Sequence, residues 1–316
     1  MLARSAEGLY WMGRYLERAG HLCRLLRLQT EALVDRPIVE IYAGWSLIYR
    51  SLDREPPGGS LVVVSSDDFT LADSFTLADD LTFEPSNPDS IRSCFVMGRE
   101  NARQMRHYIS GEMWLRLNLA YLRMQGRGIS EIWRTSPEGF YAETEADIDT
   151  FMGTAAATMY RDLAWRFAQL GRFIERAQAL ASLLLTQTTL DGEAEEPSET
   201  DWTGLLRLHH ALDAYGRIYG VEVLPAHALD LLATDPLLPD SIGHSVDRVS
   251  EELKAIGSGI DDEAVAAARR LAGRLSGLVH HQWPDSEDHS ALLAQTVRDC
   301  RRLHELVTAA YFRHAG

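Results

Sequence analysis

The chain has 316 residues, 46% hydrophobic and 24% charged, which is enough to bury a substantial core without disulfides or a structural metal. Its 31 basic and 46 acidic side chains leave a formal net charge of −15, a field that opposes unaided binding to nucleic acid or an anionic membrane and suits a cationic or protein partner. Cys23, Cys94 and Cys300 are odd in number and far apart, so they suggest neither a disulfide framework nor a zinc knuckle. No apolar run approaches the roughly 20 residues that span a bilayer, and the first 18 residues carry charges every few positions. A cytoplasmic protein is the economical expectation.

In chain order, Leu9, Met12, Leu16, Ala19, Cys23 and Leu26 recur at spacings of three and four, the period of a helix with one buried face. The stretch at 60–66, SLVVVSS, is the single strand candidate; without an evident partner it is discounted. Around 55–80, EPPGGS and the echo FTLAD-S-FTLAD read as a polar loop region. Pro88-Asp89-Ser90-Ile91 then predicts a helix start, with Ser and Asp able to cap free backbone N–H groups. One helix of about 20 residues or more is expected after it, with a bend near Ser110-Gly111. The segment 191–201, DGEAEEPSETD, is acidic, contains Pro and Gly, and reads as an exposed connector.

The most informative feature is an internal repeat. Gly13-Arg14-Tyr15-Leu16-Glu17-Arg18-Ala19 returns as Gly171-Arg172-Phe173-Ile174-Glu175-Arg176-Ala177, five of the seven positions identical. Pro88-Asp89-Ser90-Ile91 returns as Pro239-Asp240-Ser241-Ile242, in the same order along the chain. Two collinear matches at similar displacement predict an all-α helical bundle made of two diverged tandem repeats, 1–153 and 154–316, packed as one unit in a pseudo-twofold arrangement.

On a helical wheel Arg14, Glu17 and Arg18 form one polar patch opposite the aliphatic face, and Arg172, Glu175 and Arg176 repeat it. Such a patch is a solvated face, an Arg/Glu network between the two copies that fixes helix register, or a cleft in which guanidinium groups bind a carboxylate or phosphate while a glutamate orients an amine or acts as acid or base. Glu17 and Glu175 are the catalytic candidates of the second reading. The first and second GR-x-x-ER helices are expected to be adjacent and near antiparallel, with Arg14, Glu17, Arg172 and Glu175 converging on one groove. A further cluster occurs once: Arg99, Glu100, Asn101, Arg103 and Arg106, then Glu112, Trp114 and Asn118. Arg99, Arg103 and Arg106 would share a helical face able to take an anion, or Glu100 would simply pair with Arg103 at i+3. His209-His210 and His280-His281 are adjacent pairs and lack the i, i+4 spacing that helical metal sites favour, so neither metal nor cofactor is expected. Glu287-Asp288-His289 reads as a loop or helix start. No nucleophile or phosphate-loop motif stands out.

SAEGLYWMGRYLERA near the start, PDSI followed by RENARQMRHYISGEMWLRLN, and TMYRDLAWRFAQLGRFIERA at 158–177 together resemble the bacterial alpha-E domain proteins over nearly the whole chain. The resemblance implies an all-helical fold. It also implies a setting beside circularly permuted ATP-grasp ligases, with transglutaminase-like and proteasome-like proteins nearby, and a part in peptide or amide-bond synthesis. The family motif positions fall on Glu7, Arg14, Glu17 and Arg18, on Glu100, Arg103, Arg106, Glu112, Trp114 and Asn118, and on Arg161, Trp165, Arg172, Glu175 and Arg176. The 55–80 region departs from the pattern by being longer and more polar. The leading expectation is a non-catalytic partner that holds an ATP-grasp ligase or its peptide substrate. Alternatives are an enzyme component using Glu17 or Glu175, and a purely structural helical scaffold.

Overall fold

The computed structural model describes residues 1–59, 61, 67–193 and 199–312. Most of the strand candidate at 60–66 and the centre of the acidic connector, 194–198, lie outside the described residues. The described chain is helical and contains no strand. It forms two compact units, one made of residues 11–160 and one of residues 1–10 with 161–316.

In the unit of residues 11–160, α1 (Ala3–Asp35) supplies all but its first turns. It is followed by α2 (Ile38–Ser51), α3 (Asp67–Thr82), α4 (Ile91–Gln104), α5 (Gly111–Met124), α6 (Ile129–Thr135) and α7 (Pro137–Thr158). The FTLAD echo is therefore helix α3, not loop. The correction has a packing cause: Leu77, Ala78 and Leu81 are buried, and Trp45 and Tyr49 of α2 bond to Ser74, Asp80 and the Leu77 carbonyl, so a sequence of weak periodicity is held helical by α2. The single long helix expected after Pro88 is likewise two helices. α4 ends at Gln104, and after a turn Ser110 accepts from the Met113 N–H to cap α5, so the expected bend is a full break. Glycine sets the approach of α1 to α4: a Cβ on Gly98 would lie 2.9 Å from a methyl of Leu16.

In the second unit, α8 (Leu163–Glu193) packs against α12 (Ile242–Ile256) and α14 (His289–Val307), with α13 (Glu263–Gly277) bridging those two. α9 (Glu199–Leu208), α10 (Leu212–Tyr219) and α11 (Pro225–Thr234) come between α8 and α12. Residues 191–193 and 199–201, expected to be connector, belong to α8 and α9. They are tied together, since Trp202 donates its indole N–H to Asp191 at 2.8 Å. Asp288 caps α14 by accepting from the Ala291 N–H, so Glu287-Asp288-His289 is a helix start. The first turns of α1 lie so close to α8 that a Cβ on Gly171 would come within 2.0 Å of the Tyr10 carbonyl oxygen. Cys23, Cys94 and Cys300 are free and buried, and none of the described helices is long and apolar enough to cross a membrane.

Candidate functional site

The repeated Pro-Asp-Ser-Ile segments do two jobs at once. Ser90 accepts from the Ser93 N–H and Ser241 from the His244 N–H, so each serine caps the helix that follows it. The aspartate before each serine turns the other way, to the second arginine of the GR-x-x-ER helix: Arg18 pairs with Asp89, and Arg176 Nε lies 2.9 Å from Asp240. The two sequence motifs are thus the two halves of one arginine–aspartate contact, formed once in each unit. Their joint recurrence is the signal in the sequence, and Asp89 and Asp240 are the arginines' partners where the sequence suggests helix caps.

Around Asp89 the turn is built from within. Asn87, fully buried, donates to the Asp80 carbonyl at 2.9 Å and accepts from the Asp89 N–H, while Asp80 itself takes Arg54 and the Tyr49 hydroxyl. Beside this turn, residues of α1 and α4 enclose a groove of about 540 Å³, lined among others by Trp11, Tyr15 and Arg18. Trp11 and Tyr15, one helical turn apart, stack at 5.2 Å between centroids, and Arg14 lies over the Trp11 ring. Pro85, Pro88, Val96 and Met97 supply the remaining apolar lining, and Arg92 and Asp89 stand with them. Burial raises the Tyr15 hydroxyl above its ordinary pKa, against the opposing pull of Arg18, so it stays a neutral donor near pH 7.

The arrangement around Asp240 is closed. Its second oxygen lies 2.7 Å from His209 Nδ1, and Arg176 also donates to the Pro239 carbonyl at 3.0 Å. Arg172, Arg176 and Arg248 lie over the Phe173 ring at 5.5, 5.7 and 5.8 Å, and Arg166 and Arg248 share the buried Glu252. One histidine of the pair at 209–210 is therefore part of a buried polar network. Among the described residues no cluster of ligands fit for a metal occurs.

The remaining expected site residues divide between the units. Arg14, Glu17 and Arg18 lie in residues 11–160, and Arg172, Glu175 and Arg176 in the other unit. Arg14, Glu17, His21 and Glu175 are buried, at 4, 5, 4 and 6% exposure, so the polar face of α1 is not a solvent face. The wheel gives angles only; it does not show that a long central helix is packed on more than one side. Glu7, Arg18, Arg172 and Arg176 are partly exposed.

In the 99–118 cluster, Glu100 pairs with Arg103 at 2.7 Å, the intrahelical contact. Arg99 donates twice to Asn118, at 3.0 and 2.7 Å, and lies over both Trp114 and Tyr121. Arg106 lies beyond the end of α4 and stacks on Trp114 from the turn, so the three arginines do not share one helical face. Glu112 sits in the first turn of α5, where a negative charge suits the helix dipole. Arg161 stacks on Trp165 at 3.6 Å at the start of α8, next to Asp162, which accepts from the Ala164 N–H. Arg92, Trp11 and Tyr15 of the groove were not singled out by the repeat, because none of the three keeps its identity in the second copy.

The fold and site define an all-helical protein organised around two Glu-Arg dipeptides, Glu17-Arg18 and Glu175-Arg176. Residues 1–312 match the Alpha-E family, described as a predicted alpha-helical domain with a conserved ER motif, and the chain belongs to that family. An uncharacterized protein of Mycobacterium bovis is 25% identical over 266 residues, covering 79% of this chain and 29% of the relative. Two uncharacterized proteins of Mycobacterium tuberculosis are 25% and 24% identical over the same length and coverage. The chain thus spans less than a third of the length of the curated relatives it matches. No solved structure matches it.

Proposed function

We propose that the protein is a non-catalytic, cytoplasmic partner of an amide- or peptide-forming ligase of the circularly permuted ATP-grasp type, presenting the ligase or its peptide substrate with the groove beside Arg18 and Asp89. The observation that carries this reading is the 29% coverage of the mycobacterial relatives: in them a region like this chain is joined to a much longer further chain, as expected of a domain that works beside another activity. The groove supports it, being apolar, aromatic-walled and equipped with few polar groups, the usual make-up of a site that holds a ligand. Glu17 and Glu175 are buried, and neither lines this groove. The two diverged copies contribute differently in this account: residues 11–160 bind, and the second copy braces. A transglutaminase-like protein is a further partner that the family resemblance suggests.

Co-expression with a circularly permuted ATP-grasp ligase of the same organism tests the proposal. A complex that survives size-exclusion chromatography, and ligase turnover that rises when this chain is added, are the expected results. No complex together with unchanged turnover would overturn it.

A further inference from the structure

Among the cations of the groove, one is uncommitted. Arg18 is matched by Asp89, whereas Arg92, exposed on the first turn of α4, has no ion pair or hydrogen bond to any described residue. The Tyr15 hydroxyl likewise has no hydrogen-bond partner among the described residues, although its ring is packed on Trp11. The groove therefore offers one free guanidinium and one free phenol against a wall of aromatic, proline and aliphatic surface, including Val96 and Met97 at 37 and 44% exposure.

Each alternative ligand class fits this inventory worse. A polyphosphate needs several cations and would enter the field of a chain with net charge −15. A sugar would leave most of the aromatic, proline and aliphatic wall unused. A neutral apolar body would leave Arg92 unused. A single carboxylate on an apolar body uses all of it, with Arg92 able to give two parallel hydrogen bonds and Tyr15 a third. The groove is open to solvent and holds about 540 Å³, so the remainder of a longer ligand can run out of it. We infer that the groove binds the C-terminal residue of a peptide, its carboxylate on Arg92 and Tyr15 and an aromatic or aliphatic last side chain against Trp11, Pro88 and Met97. The inference rests on the reading of this chain as a substrate-holding partner and names the end of the substrate that it holds.

The test is titration of the full chain with N-acetyl-alanyl-phenylalanine and with its C-terminal amide. The acid should bind about tenfold more tightly than the amide, the difference of one charge-assisted contact. Arg92→Gln should remove that preference while leaving amide affinity within about twofold, and Met97→Glu should weaken both. Both side chains are exposed, so melting temperatures should not change. 3-Phenylpropionate, which has the ring and the carboxylate without a peptide backbone, should bind several-fold more weakly than the peptide acid. Equal affinity for acid and amide, an Arg92→Gln chain that keeps the preference, or equal binding of 3-phenylpropionate would each overturn the inference. These results are independent of the ligase complex. Acid-selective binding without a complex would sustain the groove's ligand and remove the ligase, and a complex without acid selectivity would do the reverse.

Discussion

The same arginine–aspartate contact occurs twice in this molecule, in two different surroundings. Arg176 and Asp240 have side-chain exposures of 11 and 10%, and Asp240 also takes His209, so that pair is a buried lock between α8 and the turn before α12. Arg18 and Asp89 are 22 and 52% exposed and stand at the edge of an open groove. The lesson is that a repeated motif marks a repeated contact, and only the neighbours tell which copy has room for a ligand.

Breaking the lock should have the largest effect. Asp240→Ala leaves the buried His209 and the largely covered Arg176 without their shared acceptor and should cost about 3–5 kcal/mol in urea unfolding. Next comes the approach of the first turns of α1 to α8. Gly171→Ala puts a methyl 2.0 Å from the Tyr10 carbonyl oxygen, a backbone atom that cannot swing away, and should cost about 1–3 kcal/mol. Gly153→Ala in α7, with nothing within 4 Å of the added carbon, should instead stabilise by up to about 1 kcal/mol, since alanine is the better helix former. Asp89→Asn, on the open side of the comparison, should cost less than about 1 kcal/mol, as exposed ion pairs do.

The smallest effect is a pH dependence at Glu100. Hydrogen bonds from Arg103 and then Gln104 hold its carboxyl down to about 2, below the ordinary value of about 4.3. A lowered folded-state value means that the stabilisation is fully present above about pH 4.3 and is lost as pH falls toward 2. Because the pair is exposed at both ends, solvent screens it and its worth is small. Glu100→Gln should therefore flatten the acid limb of stability only slightly, measured by thermal melts between pH 2 and 6.

The helical fold was legible because its signals are local. The three- and four-residue spacing of α1 and the capping serines at 90 and 241 act within a few residues of where they are read. The FTLAD helix and the break at 105–110 were not legible in the same way. The first owes its helicity to Trp45 and Tyr49 of α2, and the second depends on whether Ser110 caps a new helix or sits inside an old one. Of the site, the arginines were visible and their partners were not. Asp89 and Asp240 lie 71 and 64 positions from Arg18 and Arg176, and a wheel drawn on one helix carries no information about another chain segment. Arg92, Trp11 and Tyr15 escaped for the opposite reason: a search for repeats finds what two copies share, and the groove is built from what one copy does not.

The Arg176–Asp240 pair is a lock, and the Arg18–Asp89 pair is part of a groove wall. Double-mutant cycles on Arg176 with Asp240 and on Arg18 with Asp89, each read by urea unfolding of the full chain, measure that difference directly. A coupling energy above about 2 kcal/mol for the buried pair and below about 0.5 kcal/mol for the exposed pair is the expected result. Equal coupling energies, or the larger one at Arg18 and Asp89, would contradict it.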